Sequence, residues 1–226
     1  MNNSAKALLA VIAVGALAPA AANAGHKPGH TGGGGGTGNL TLTATPNPVV
    51  SGRTLTLSGK LTGQNNSGQV VNIFADPFPF ADNGFTPAGG PTTNATGDYQ
   101  LTLKPTINTR YQARRGNEAS GIVNVLVRPA VSLRLSDYTP KRAQRVAFAG
   151  RVCPQHDGSR LSIQRRYSTG YRTVARTTLK DIAGSTCSSY RRVFRVYRDG
   201  RFRAVIGSHA DHATGVSRSR VANAHN

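Results

Sequence analysis

The stretch LTLSGKL at residues 55–61 returns in altered form as VAFAGRV at residues 146–152, and each copy has a glycine at its fifth position. Both copies carry an apolar residue or glycine at every second position, which is typical of a β-strand with one buried face. The two glycines lie 91 residues apart, and the same spacing relates two pairs of aromatic residues: Tyr99 with Tyr190, and Tyr111 with Phe202. Three matches at one spacing predict that the second half of the chain duplicates the first.

Short runs with the same alternation continue through the chain from residue 40, and clusters of Gly, Pro, Asn and Asp separate them. The clearest runs lie at residues 40–44, 54–57, 71–73, 99–103 and 122–127. Many short strands with turn signals between them predict an all-β sandwich or barrel fold. The 26 glycines follow no three-residue period, which excludes collagen, and the lack of heptads excludes a coiled coil.

The first 24 residues have the pattern of a secretory signal peptide. Lys6 precedes an apolar run at residues 7–14, and the stretch ends in Ala22-Asn23-Ala24, a small-x-small sequence that signal peptidases accept. The alternative is a membrane anchor, but Gly15 and Pro19 interrupt the run, which falls short of the roughly 20 residues that a span needs. We therefore expect a signal peptide at residues 1–24, an exported product and no integral membrane anchor.

Residues 25–38, GHKPGHTGGGGGTG, are predicted to form a disordered tether. Five consecutive glycines lose too much backbone entropy on folding to become ordered. His26 and His30 offer metal ligands there, but histidines in such a segment are more commonly solvated. A short disordered tail is expected at residues 223–226.

The duplication and one proline define two folded units. Arg128-Pro129 ends the last run of the first unit, and a new run begins at residues 131–135. We predict units at residues 39–128 and 129–222. Each is about 90 residues long with six or seven strands, which is the size of an immunoglobulin-like sandwich.

Six segments of these units carry a family resemblance. The first unit contains ATPNPVVSGRTLTLSGKLTG, VNIFADPFPF and GDYQLTLKPTINTRYQA, and the second contains VAFAGRVCP, GYRTVARTTL and GSHADHATGVSRSRV. They resemble the tandem immunoglobulin-like, or fibronectin-type-III-like, modules of exported proteins from high-GC Gram-positive bacteria (actinobacteria). The resemblance implies two tandem β-sandwiches that act as binding or spacer units without catalytic residues. Neither unit has the core Trp or the cysteine pair between strands B and F of antibody domains.

The two cysteines, Cys153 and Cys187, both lie in the second unit. In an exported chain such a pair is expected to form a disulfide. In a sandwich of the implied kind, strands B and E are antiparallel neighbours; Cys153 follows predicted strand B and Cys187 precedes predicted strand E. The alternative, a redox-active pair, lacks CxxC spacing.

The positive charge of the chain lies mostly in the second unit. Residues 38–128 carry 7 Lys plus Arg against 4 Asp plus Glu, a net of +3, whereas residues 129–226 carry 19 against 5, a net of +14. Seventeen of the 19 are Arg, whose planar guanidinium suits bidentate contacts with phosphate and carboxylate. A GC-rich genome also favours Arg codons, but codon bias does not explain the difference between two halves of one chain.

Strand alternation predicts the direction of some of these arginine side chains. If Phe202 faces the core, its neighbours on strand F face water, and the same reasoning applies to strand C and the run that follows it. The predicted anion-binding face consists of five arginines: Arg166, Arg172, Arg176, Arg201 and Arg203. Alternation points Arg192 inward instead, which implies a bulge or a side chain that snorkels to solvent.

A face of this kind attracts polyanions through counterion release. The expected partner is an anionic cell-wall polymer such as teichoic acid, or an acidic polysaccharide, with extracellular DNA and anionic lipid headgroups as further candidates. No motif for sequence-specific nucleic-acid recognition occurs. The alternative is a solvated, self-repelling surface without a ligand.

Two loops contain residues of other chemical interest. The segment His209-Ala210-Asp211-His212 offers two imidazoles and a carboxylate, but further zinc ligands at suitable spacing are missing, and we interpret it as a turn. Three phenylalanines on a proline-containing loop either contact a sugar or peptide or, as we favour, fold back to cap the sandwich: Phe78, Phe80 and Phe85. No metal site and no cofactor are predicted.

These observations predict a monomeric, non-catalytic binding or spacer protein that is secreted or associated with the cell envelope. Paired carboxylates for hydrolysis are scarce, since the chain has 9 Asp plus Glu and only one of them is Glu. The alternatives are a purely structural spacer with no ligand and a metal-dependent enzyme.

Overall fold

The computed structural model describes residues 39–80 and 84–226, and these residues form β-strands and loops without a helix. The all-β fold class is confirmed, with two β-sandwiches that follow one another along the chain. The predicted signal peptide and tether lie outside the described residues. No helix that is long and apolar enough to cross a lipid bilayer occurs within the described ranges.

The first sandwich contains ten strands in the described part of the chain: β1 (Thr43–Thr45), β2 (Val49–Val50), β3 (Leu55–Lys60), β4 (Asn72–Pro77), β5 (Thr86–Gly89), β6 (Asp98–Leu103), β7 (Thr109–Arg115), β8 (Glu118–Ala119), β9 (Val123–Val125) and β10 (Val127–Arg128). One sheet has the order β1-β3-β6, and the other has the order β5-β4-β7, with β8 and β9 both paired to β7. Strands β2 and β10 pair in parallel. Alternate residues such as Leu55, Leu57 and Ile73 are fully buried between the sheets.

The second sandwich contains nine strands: β11 (Ala130–Val131), β12 (Arg134–Leu135), β13 (Gln144–Cys153), β14 (Arg160–Tyr167), β15 (Gly170–Thr178), β16 (Ser188–Val196), β17 (Gly200–Ile206), β18 (Gly215–Val216) and β19 (Arg220–Ala222). In one sheet β13 pairs with β11, β12 and β16; the other has the order β15-β14-β17, with β18 and β19 paired to β17. Phe148, Leu161 and Ile163 are fully buried between them.

The repeated glycine and tyrosine occupy the same position in both sandwiches. Gly59 pairs with Tyr99 across β3 and β6, and Gly150 pairs with Tyr190 across β13 and β16. The Tyr190 hydroxyl donates to the main-chain oxygen of Ser132 at 2.6 Å, and the Tyr99 hydroxyl makes the equivalent bond. A Cβ at position 150 would lie 2.1 Å from that oxygen, so only glycine leaves room for this contact. The duplication seen in the sequence is thus a duplication of local structure.

The predicted disulfide between Cys153 and Cys187 is present. Cys153 is the last residue of β13 and Cys187 directly precedes β16, its antiparallel neighbour, so the two Cα atoms lie 4.4 Å apart. The bond closes a loop with a sequence separation of 34 residues. In the chain-entropy model such a cross-link stabilises the fold by about 3.8 kcal/mol.

Pro129 marks the change from the first set of sheets to the second. The apolar core of the first sandwich extends to Val127, and that of the second begins at Leu133. All of these residues belong to one compact unit, and hydrogen bonds join the sandwiches. The Asn108 N–H donates to the main-chain oxygen of Asp211 at 2.9 Å. The predicted limits of the units, residues 39–128 and 129–222, stay predictions, but sheets and cores change at the predicted proline. The expected disordered tail at residues 223–226 is wrong, because the main chain of His225 hydrogen-bonds to the main chains of Pro140 and Arg142.

Candidate functional site

Ion pairs are distributed unevenly between the two sandwiches. Three join side chains of the first sandwich, with N–O distances from 3.4 to 3.9 Å: Lys60–Asp98, Arg110–Asp76 and Arg115–Glu118. Within residues 39–80 and 84–226, no Lys or Arg after position 128 lies within 4.0 Å of a carboxylate oxygen. Neighbouring carboxylates of the described chain therefore do not neutralise the basic residues of the second sandwich.

Four of the five predicted arginines lie on the outer face of the β15-β14-β17 sheet: Arg166, Arg176, Arg201 and Arg203. The pairing register decides this, because Arg176 lies opposite Ser162 and Arg203 lies opposite Gln164, both on the outer side of β14. Phe202 and Ala204 are buried in the core, so their neighbours on β17 point outward, as predicted. The structure thus brings these four onto one surface, which we call the sheet face.

Arg172 does not join the sheet face, and this corrects the prediction. A β-bulge between Ile163 and Gln164 shifts the register of β15, so Arg172 lies opposite Arg165. Arg165 in turn lies opposite the buried Phe202, which places Arg172 on the inner side of the sheet. Arg172 lies near the first residue of β15, and its guanidinium donates to the Thr169 hydroxyl at 3.0 Å. One extra residue in a strand reverses the direction of the side chains that follow.

The sheet face is partly organised by Tyr171, which lies opposite Arg166. The Arg203 guanidinium carbon sits 3.8 Å from the centre of the Tyr171 ring, and that of Arg166 sits 5.5 Å from it. Arg203 also donates to the Gln164 side-chain oxygen at 2.8 Å. Stacking on an aromatic ring fixes a guanidinium without removing its charge.

Arg192 lies on the inner side of its sheet, as alternation predicts. Its register partner is the fully buried Phe148, and the pairing of β13 with β16 continues without a bulge through this position. The Arg192 side chain is nonetheless exposed. Of the two alternatives, the snorkelling side chain is therefore the one observed.

A basic groove on the opposite sheet was missed by sequence reasoning. Its volume is about 900 Å³, and it crosses β12, β13 and β16. Arg134 and Arg191 both lie opposite Ala149, and Arg151 lies two residues further along β13, so all three point to the same side. Lys180 also lines the groove, and its one acidic residue is Asp181. We call this surface the second-half groove.

The first sandwich has a counterpart of this groove with a volume of about 570 Å³. At the 91-residue spacing, Thr43 stands where the second half has Arg134, and Gln100 stands where it has Arg191. Lys60 corresponds to Arg151, but its Nζ lies 3.4 Å from a carboxylate oxygen of Asp98. The first groove is therefore close to neutral, although its backbone frame is the same.

A further difference between the grooves is that Ser189 stands in the second where Asp98 stands in the first. Asp98 pairs with Lys60 across the sheet, and the equivalent partner of Arg151 is Ser189. A hydrogen bond from Thr96, followed by the charge of Lys60, holds the pKa of Asp98 below its ordinary value, so it is ionised at neutral pH. The second groove has no carboxylate at this position to offset Arg151.

The neighbouring Tyr190 remains a neutral hydrogen-bond donor. Burial raises the pKa of Tyr190 far above its ordinary value, as it does for Tyr99 in the first sandwich. Both grooves thus have a protonated phenol beneath them. The groove could have been found from the sequence by applying the 91-residue spacing to the residues near Gly59 and Gly150, which would have shown that neutral residues of the first unit correspond to arginines of the second.

The other sequence candidates have definite places. The backbones of His209 and His212 exchange hydrogen bonds, which agrees with a tight turn. That turn brings His212 beside His156, a residue of another loop that the sequence did not connect with it. Phe78, Phe80 and Phe85 are partly buried and lie outside the apolar core cluster; Arg110 stacks on Phe80 at 4.1 Å.

Comparisons with known proteins do not assign a family. No protein-family model matches the chain, and no curated protein does. One similar solved structure is the crystal structure of a tetra-tandem repeat in the extending region of a large adhesion protein, with 15% sequence identity and a TM-score of 0.30. The match covers 80% of this chain and 47% of that one, so this chain spans about half its length. A likeness at this TM-score supports no conclusion, and the fold assignment rests on the strands themselves.

Proposed function

We propose that this chain is an exported, non-catalytic protein whose second sandwich binds an anionic polymer in the second-half groove. The first sandwich then serves as a spacer of the same fold. A disulfide supports export, because such bonds persist in oxidising compartments. The polymer carries phosphate or carboxylate groups, as anionic cell-wall polymers and acidic polysaccharides do.

The observation that carries this proposal is the change of charge within one repeated frame. Arg134, Arg151 and Arg191 occupy positions that are neutral or ion-paired in the first groove. Guanidinium groups bind phosphate and carboxylate oxygens in pairs of parallel hydrogen bonds. A concave surface with several of them holds a chain more closely than a flat one, since focused fields raise the local concentration of anions.

The sheet face is the alternative surface for the same polymer, and variants of the two surfaces distinguish between them. Three exposed arginines are chosen for substitution on each surface. In the groove they are Arg134, Arg151 and Arg191, and on the sheet face they are Arg166, Arg176 and Arg201. Changing either set to Ser removes the same formal charge. The two triple variants are therefore matched in net charge and differ only in location.

The test uses the chain from residue 25 onward, immobilised polyphosphate, immobilised polygalacturonate and neutral dextran, each with a salt gradient. We expect retention on one or both anionic polymers, none on dextran, and a large loss of retention in the groove variant alone. Equal losses in both variants would assign binding to net charge rather than to the groove. If the unaltered chain leaves the anionic polymers at the same salt concentration as it leaves dextran, the chain does not bind them and its function is that of a structural spacer.

A further inference from the structure

Two loops of the second sandwich bring a set of metal-ligating side chains together next to the first sandwich. His156 belongs to the loop after β13, and Asp211 and His212 belong to the loop between β17 and β18. One ligand atom from each lies within 4.8 Å of those of the other two. His156 and His212 are separated by 56 positions in sequence, so no local sequence motif indicates the cluster.

His156 contributes a buried ring nitrogen without a hydrogen-bond partner to this cluster. Its Nδ1 lies 2.8 Å from the main-chain oxygen of Pro154, and since a carbonyl only accepts, Nδ1 carries the proton. In the neutral ring the lone pair is then on Nε2, which is buried and has no hydrogen-bond partner among the described residues. The side chain is only 9% exposed. Its main-chain N–H donates to the fully buried Ser188 hydroxyl at 2.7 Å, which fixes the loop.

His212 is held in the same manner from the other side. Its Nε2 donates to the main-chain oxygen of Thr106 in the first sandwich at 2.7 Å, and the ring is 2% exposed. In the neutral ring the lone pair is on Nδ1, which lies 2.9 Å from a carboxylate oxygen of Asp211. Two acceptors at that distance repel each other unless His212 takes a second proton or a cation binds both.

A metal ion accounts for both unpartnered nitrogens, whereas protonation of His212 accounts for only one. A histidine that donates one nitrogen to a carbonyl and directs the other to an ion is the usual arrangement in metal sites. Two imidazole nitrogens and one carboxylate oxygen suit Zn²⁺, while Ca²⁺ and Mg²⁺ prefer oxygen ligands. The exposed His209, whose ring centre lies 5.3 Å from that of His156, is within reach as a fourth ligand.

We propose that His156, Asp211 and His212 bind one Zn²⁺ ion at the junction of the two sandwiches. Neighbouring ligands of a tetrahedral zinc lie about 3.3 Å apart, so binding draws the loops together by on the order of 1 Å. The ion would stabilise the junction, because the same segment accepts hydrogen bonds from Asn108 at Asp211 and Ala210. Its role would be structural and independent of the anionic polymer.

The test is a calorimetric titration of Zn²⁺ into the chelator-treated chain from residue 25 onward. The predicted tether contributes His26 and His30, so the reference protein carries His26→Gln and His30→Gln. We expect one site per chain, and a loss of affinity of at least about 10- to 100-fold in Asp211→Asn and in His156→Gln, because mutating even the outer partners of metal ligands costs that much. His225→Gln is the matched control, since it removes an exposed histidine elsewhere and should leave the affinity unchanged.

Nitrogen NMR of the histidine rings of the reference protein tests the site without any substitution of its ligands. Zn²⁺ should shift Nε2 of His156 and Nδ1 of His212 together at one equivalent, and the protons on the opposite nitrogens should remain. Titration without saturation at one equivalent, or equal affinity in the Asp211→Asn and His225→Gln proteins, would overturn the proposal. An imidazolium signal from His212 that Zn²⁺ does not change would assign the cluster to a simple ion pair.

Discussion

Replacing Ser189 by Asp would give the second-half groove the ion pair that neutralises the first. Ser189 lies opposite Arg151 in the register that places Asp98 opposite Lys60, where the two charged atoms are 3.4 Å apart. The carboxylate of Ser189→Asp should therefore reach the Arg151 guanidinium. The groove has four cations and one Asp, so its formal charge falls from +3 to +2.

The size of the effect follows from counterion release. A cation that no longer contacts the polymer lowers the slope of log affinity against log salt by about one. Between about 50 and about 200 mM salt, the variant should thus lose roughly fourfold less affinity than the parent. The folded state should gain only about 0.2 to 1 kcal/mol from the new pair, because Arg151 is exposed and position 189 is only partly buried.

The assay is fluorescence anisotropy of labelled polyphosphate over a salt series. Ser189→Asn is the matched control, since it has the shape of Asp without the charge and should keep the parental slope. Asp98→Ser, which releases Lys60 in the first groove, should not lower the slope. If Ser189→Asp and Ser189→Asn give the same slope, Arg151 does not contact the polymer and the groove assignment fails.

Three further predictions concern stability. Gly150→Ala should destabilise the chain by about 1 to 3 kcal/mol in urea unfolding, because its Cβ meets the Ser132 carbonyl oxygen at 2.1 Å; Gly207→Ala, which meets open space, should not, and equal effects would contradict the steric argument. The raised folded-state pKa values of Tyr99 and Tyr190 contribute stability that is present below pH 10 and lost as the pH rises further, so their phenolates should appear by ultraviolet titration only together with unfolding. Joint replacement of Cys153 and Cys187 by Ser should cost up to about 3.8 kcal/mol, and an unchanged urea midpoint would show that the loop is already constrained without the bond.

Features that depend on local alternation were predictable from the sequence. The strands follow from alternation with a period of two, and the duplication follows from a constant offset. The disulfide was expected from two cysteines in an exported chain, and β13 ends at Cys153 while β16 begins directly after Cys187, as predicted. The direction of Arg201 and Arg203 followed from the buried Phe202 between them.

Features that depend on how one strand meets another were not predictable in this way. The bulge opposite Ile163 and Gln164 turned Arg172 to the inner side, and no property of Arg172 or its neighbours signals that shift. His156 came beside His212 because two loops converge, and the first sandwich supplies the carbonyl that holds His212. Strand alternation correctly places the groove arginines on the outer side of their sheet. Their joint role in a basic groove became evident only from comparison with the neutral groove of the first sandwich.

The parallel pairing of β2 with β10 has a mechanical consequence for the first sandwich. β2 lies near the entry of the chain into the sandwich and β10 at its exit, so tension along the chain pulls the two strands in opposite directions along their own axes. The bonds from Val49 N–H to the Leu126 oxygen and from Ser51 N–H to the Arg128 oxygen, both 2.9 Å long, would then be sheared simultaneously rather than opened one by one. Because forced unfolding is governed by the unfolding rate, we expect the joint rupture of these bonds to limit that rate, so the β2–β10 pair should be the main element of the first sandwich that resists stretching.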